Sequence, residues 1–258
     1  MKKRTKRTLA TVTACAVLGA VAVGGTLAYL TDNETTTNVV TIGDVTMDLV
    51  ESEWVEDNAA NAFPNQVIAK NPKVVNTSET NNMIAFLTVE VPVEEVTVVG
   101  FDGDTTDATK TNNELFWFLS GDAANNLENT ENAFNTENWV LLSQSENDLA
   151  DGETNTYVFG YKTKIAPGVE TDTLFDKIQV KNFIEDEVTA DAKNIVINAF
   201  AIQSDDIIKD NADITDGELT QAVLEDIYDI FMKQNENKTE WQKADISNIM
   251  DLAGDDRK

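Results

Sequence analysis

The 258 residues include 46 acidic and 19 basic side chains, one cysteine and no histidine, for a formal net charge of −27. Without histidine there is no His-Glu-x-x-His zinc site, Ser-His-Asp triad, Cys-His dyad or histidine general base. The negative charge repels nucleic acid and anionic lipid, which both need a positive surface.

The basic residues Lys2, Lys3, Arg4, Lys6 and Arg7 precede an apolar run from Leu9 to Val23 and then Gly24-Gly25-Thr26-Leu27-Ala28. This order of charge, apolar stretch and small residues predicts a signal peptide over 1–28, cut between Ala28 and Tyr29, with Thr26 at −3 and Ala28 at −1. The apolar run is shorter than the ~20 residues of a comfortable membrane span, so membrane contact is expected only through the uncleaved signal peptide. Cutting there leaves 14 basic against 46 acidic side chains, a net charge of −32 on 230 residues. The single Cys15 lies inside the removed segment, and Val12-Thr13-Ala14 before it makes a poor lipobox. The mature chain then has no thiol, and its stability must come from a core. No second apolar span and no Leu-Pro-x-Thr-Gly sorting signal is present, so a released or surface-associated protein is expected.

From about Val39 to Gln203 short β runs alternate with Asn/Asp/Thr-rich turns. Tyr29–Asn38 is polar and leads into Val39-Val40-Thr41-Ile42, an extended segment. It can pair with a neighbour's sheet edge or fold back as an edge strand of its own domain. Val45, Met47 and Leu49 alternate with polar residues, and a bulge at Gly43-Asp44 brings Val40 and Ile42 onto their face. Lys73–Asn76 reads as a short strand. Met83–Val91, apolar on both parities, suits a central strand ended by Pro92. Leu115–Leu119 and Trp139–Leu142 flank the Asn-rich stretch 121–138. Tyr157, Phe159, Tyr161 and Ile165 alternate with polar positions. Ile178 and Val180 alternate with Gln179 and Lys181, and Ile195–Ile202 reads as a second central strand. Short strands with turns between them predict an all-β antiparallel sandwich over 29–204.

The pattern changes in 205–258, an acidic loop followed by helices. Thr215-x-x-Glu218 reads as a capping box opening a helix of about four turns, with Leu219, Ala222, Val223, Ile227, Ile230 and Phe231 at helical spacing. Thr239-x-x-Gln242 reads as a second box before a shorter helix with Trp241, Ile249 and Leu252. This C-terminal helical appendage either packs on the sandwich or offers its stripe to another molecule.

Candidate sites are few. With neither histidine nor a retained cysteine, a metal site must be all carboxylate, which suits Ca²⁺ or Mg²⁺. Asp102, Asp104, Asp205 and Asp206 are weak Ca²⁺ candidates. From Asp102, position six is Asp107 and position twelve Asn113, so the loop is not an EF-hand. No Gly-rich phosphate loop occurs, and paired carboxylates are expected by chance in so acidic a chain. No cofactor and no catalytic residue is assigned.

Gly25-Thr26-Leu27-Ala28-Tyr29-Leu30-Thr31-Asp32, followed by Val40-Thr41-Ile42-Gly43-Asp44-Val45 and Met47-Asp48-Leu49, resembles the start of the TasA/camelysin family. Lys70-Asn71-Pro72-Lys73-Val74-Val75-Asn76-Thr77 resembles a second family stretch, with Ser78 where the family has glycine. Ala166-Pro167-Gly168-Val169-Glu170-Thr171 through Leu174-Phe175-Asp176-Lys177, and Ala199–Gln203, resemble two more. The matches are scattered over about residues 1–203. The resemblance implies a jelly-roll-like β-sandwich exported by low-GC Gram-positive bacteria and processed by the signal peptidase SipW. It implies a subunit of extracellular biofilm-matrix fibres, a homopolymer in which a donor strand within Tyr29–Ile42, here Val39, Val40, Thr41 and Ile42, inserts into the next copy. Some relatives are described as camelysin metalloendopeptidases, which a chain without histidine does not favour.

The expectation is therefore a secreted structural subunit of the cell surface or matrix. The alternatives are a camelysin-like peptidase and a monomeric adhesin that binds through the 121–138 loop or the C-terminal helices.

Overall fold

The computed structural model describes residues 38–42, 45–54, 62–100, 109–125, 131–145, 150–184, 187–188, 195–204, 207, 214–215 and 217–235. In chain order the strands are β1 (Asn38–Ile42), β2 (Met47–Glu51), β3 (Val67–Ala69), β4 (Pro72–Asn76), β5 (Met83–Thr97), β6 (Lys110–Glu114), β7 (Phe116–Leu119), β8 (Trp139–Gln144), β9 (Thr154–Tyr161), β10 (Lys177–Val180), β11 (Val196–Gln203), β12 (Ile214–Thr215) and β13 (Glu218–Leu219). Helix α1 (Gln221–Asn235) follows. The fold is an all-β antiparallel sandwich with a C-terminal helix.

The main sheet runs β1-β11-β5-β9-β8, and β6 continues it along the far half of β5. Two smaller sheets, β3-β10-β7 and β2-β4, form the facing layer. Strand parity decides what fills the space between them. Ala85, Leu87, Val89 and Val91 of β5, Tyr157 and Phe159 of β9, and Ile197, Ala199 and Ala201 of β11 point inward. They meet Met47, Val74, Ile68, Ile178, Val180, Phe116 and Phe118 from the facing layer. Phe118 is the aromatic hub, edge-on to Tyr157 at 5.1 Å and stacked with Phe175 at 5.4 Å.

The opposite parity of the main sheet is also buried, and α1 covers it. Ile84, Phe86, Val158, Phe200 and Ile202 pack against Leu224, Ile227, Tyr228, Phe231 and Met232. This is why β5 and β11 are apolar on both parities: one face lies on the sandwich core and the other lies under a helix. Close approach depends on Gly160, where a Cβ would come within 3.2 Å of Leu224 Cδ1. For α1, of the two expectations for the tail, packing on the sandwich is the one observed.

Four local expectations are corrected. Strand β5 does not end at Pro92 but runs on to Thr97. The proline falls where β5 changes neighbours: its pairing with β11 ends at Glu90, and β6 takes over from Val93. The missing N–H is therefore not needed, while the Pro92 carbonyl accepts from Leu115 N–H at 2.9 Å. Thr215 and Glu218 form no capping box; they face each other in the antiparallel pair β12-β13, with Gly217 at φ +89°. Asp-Gly between strands is a hairpin signal of its own, and the residue at the head of α1 is Thr220, whose Oγ1 accepts from Val223 N–H at 3.4 Å. The helix is also rotated from the expected stripe, so that Ile230 is exposed and Leu224 and Tyr228 are buried. Finally, the alternation of Ile178 and Val180 with Gln179 and Lys181 does not separate a buried from an exposed set, because Gln179 and Lys181 are themselves buried at 2 % and 6 % exposure. The bulge at Gly43-Asp44 and the helix around Trp241, Ile249 and Leu252 lie outside the described residues.

Candidate functional site

Strand β1 is built from Val39, Val40, Thr41 and Ile42 after Asn38, a β-branched run that favours extended backbone. It lies at one end of the main sheet and pairs with β11 in parallel, from Asn38↔Asn198 to Ile42↔Ile202. Every other strand pair among the described residues is antiparallel. The difference matters physically. A hairpin strand has its register set by its turn, whereas β1 and β11 are separated by nearly the whole domain. The backbone ladder to β11 sets where β1 sits, together with its contacts to β2, which follows it closely in the chain and is paired to β4. Removing β1 leaves β11, with Ala199 and Ala201 in the core and Phe200 and Ile202 under α1, as an open edge. The predicted donor residues thus occupy the edge position that the sequence allowed as one of two fates.

The stretches 70–77 and 166–177 meet in space. Asn76 N–H donates to Val169 O at 2.9 Å, and Gly168 N–H donates to Asn76 O at 2.8 Å. Thr171 N–H donates to Val74 O at 2.8 Å, Val74 N–H to Thr171 Oγ1 at 3.0 Å, and Leu174 N–H to Pro72 O at 2.9 Å. The fully buried Asn76 side chain clamps this seam. Its Nδ2 donates to Asn81 O at 2.9 Å and Ile165 O at 2.8 Å, and its Oδ1 accepts from Ser78 N–H at 2.9 Å. Through these bonds both stretches serve the architecture, because they tie β4 to the segment that precedes β10.

Two buried lysines were not legible as such. Lys70, 0 % exposed, sits 2.8 Å from Glu51 Oε1 and 4.3 Å from the centre of the Trp54 ring. Burial lowers its pKa, and the Glu51 carboxylate opposes that shift. Lys181 lies over Trp117 with Nζ 3.4 Å from the ring centre and 3.7 Å from Glu114 Oε2. Burial pulls its pKa down to about 8, against the pull of Glu114. Around Glu114 gather Asn132, Asn155 and Tyr157. The one sequence cue was the pair of aromatic and apolar runs on either side of these polar residues.

The cleavage residues Ala28 and Tyr29, and the Ca²⁺ candidates Asp102, Asp104, Asp205 and Asp206, lie outside the described residues. Among the described residues no group of three or more acidic side chains converges to hold a metal ion, and no helix is long and apolar enough to cross a membrane. No family model, curated relative or solved structure matches the chain.

Proposed function

We propose that the chain is a secreted structural subunit of the cell surface or extracellular matrix, self-assembling by addition of its N-terminal strand to the sheet of the next copy. The observation that supports this reading is the parallel seat of β1 on β11 at the sheet edge. No hairpin fixes that strand, so the same five-residue ladder is satisfied equally by β1 of another copy. Such a contact joins two different surfaces and does not close on itself, so it propagates a filament. Export and removal of residues 1–28 would free the segment that leads into β1.

The charge of −32 expected for the processed chain opposes close approach at low salt, so assembly strengthens with ionic strength or Ca²⁺. The test compares protein beginning at Tyr29 with protein beginning at Gly43, by size exclusion and negative-stain imaging across salt and Ca²⁺ titrations. The longer form is expected to polymerise and the shorter, lacking β1, to stay unpolymerised. Two forms that behave identically sink the proposal.

A further inference from the structure

The Glu114 cluster brings together the groups needed for amide exchange. Lys181 Nζ and the Asn132 carboxamide share one oxygen: Nζ is 3.7 Å from Glu114 Oε2, and Asn132 Nδ2 donates to that oxygen at 3.3 Å. Asn132 Nδ2 also donates to Tyr157 Oη at 2.9 Å, and Asn132 Oδ1 accepts from Phe118 N–H at 3.0 Å. Tyr157 Oη donates to Glu114 Oε1 at 2.5 Å, and Asn155 Nδ2 donates to the same oxygen. The Lys181 side chain is 7 % exposed and that of Glu114 12 %.

We propose that Lys181 and Asn132 join in an intramolecular isopeptide bond, formed inside the folded domain with Glu114 as the proton carrier. The amine nitrogen of neutral Lys181 leaves the Trp117 face and attacks Asn132 Cγ, forming the new C–N bond. Glu114 takes the proton from Nζ and passes it to Asn132 Nδ2, the Cγ–Nδ2 bond breaks, and one ammonia departs. No oxidant or cofactor is consumed. A pKa drawn down to about 8 by burial gives Lys181 a neutral fraction near physiological pH. The Phe118 N–H polarises the carbonyl under attack, as an oxyanion donor does. Asn155 is the weaker acyl donor, because its Oδ1 has no hydrogen-bond donor among the described residues.

The chain carries its own control. Lys70 also pairs with a glutamate beside a tryptophan. The nearby Asn71 amide, however, donates to Ser52 Oγ at 3.1 Å and accepts from Glu53 N–H at 2.9 Å, away from Glu51. Lys70 therefore keeps a free amine. With a single cysteine no intrachain disulfide is possible, and an amide between β10 and the loop before β8 would be a covalent tie between the two layers. The proposal stands apart from strand exchange, and either can fail alone.

The test is the intact mass of the purified full chain or its processed form, with a tryptic map. The expected result is a deficit of one ammonia, no cleavage after Lys181, and a branched peptide joining Lys181 Nζ to Asn132. Lys181→Arg and Glu114→Gln variants are expected to regain the full sequence mass. A wild-type chain of full sequence mass after prolonged incubation at mildly alkaline pH overturns the proposal, whether or not the variants fold. A deficit traced to a succinimide, or a branch on Asn155 or Lys70, overturns it too.

Discussion

Helix α1 carries Ile230 and Phe231 side by side, and the structure assigns them opposite fates. Phe231 is fully buried, its ring 5.4 Å from Phe200 at 70° and 6.2 Å from Tyr228, whereas Ile230 is 39 % exposed. Phe231→Ala removes a ring from between the helix and the outer face of the main sheet. Losing a buried phenylalanine costs about 3–5 kcal/mol, part transfer and part cavity. Ile230→Ala gives up a half-exposed side chain and improves helix propensity, so its cost stays within about 1 kcal/mol. Equilibrium urea unfolding, followed by far-ultraviolet circular dichroism and tryptophan fluorescence, separates the two. With a slope of about 2–3 kcal/mol/M, the Phe231 variant should lose roughly 1–2 M in midpoint. The Ile230 variant should lose a small fraction of that. Equal shifts, or no shift for Phe231→Ala, would show that the helix does not cover the sheet and that its stripe is free for another molecule.

Two further substitutions probe the polar interior. Tyr228 Oη is buried with no hydrogen-bond partner among the described residues, so Tyr228→Phe should be neutral or stabilising by about 1 kcal/mol. Burial, helped by Asp229, raises the Tyr228 pKa above 10.0. The unfolded chain therefore releases this proton first, and the associated stability, full below pH 10, is lost as pH rises beyond it. Urea midpoints taken from neutral to alkaline pH should fall less steeply in the Phe variant; an unchanged slope contradicts the assignment. Asn76→Ala removes the side-chain hydrogen bonds to the Asn81 and Ile165 carbonyls and to the Ser78 N–H, although the Ile165 carbonyl keeps its bond from Met83 N–H, for an expected loss of about 2–4 kcal/mol. Thermal melts should show Thr77→Ala, an exposed neighbour, nearly unchanged; comparable losses at the two positions would refute the clamp.

Much of the fold was legible because period two reports directly which face of a strand needs cover. Tyr157, Phe159 and Tyr161 were readable as one face of β9, and all three are in the core. The double apolarity of β5 and β11 marked them as central. The failures share a cause. The burial of Lys181 and Gln179 was not readable because alternation says which residues share a side, not what lies opposite; Trp117 and Glu114 come from another part of the chain. Pro92 looked terminal because a proline reads as a break unless one knows that the strand changes neighbours there. Strand β6, Lys110–Glu114, is Asn- and Thr-rich and carried no apolar signal at all.

By itself the sequence determined the absence of histidine chemistry, the acidic charge, the single thiol, and a run of short strands followed by an amphipathic helix. These are properties of residues and their near neighbours, which need no knowledge of the fold. Only tertiary structure decided that β1 lies parallel on β11, that α1 roofs the outer face of the main sheet, and that Lys181, Glu114 and Asn132 converge. Each joins segments far apart in the chain, and such contacts arise from how whole faces pack rather than from any local preference.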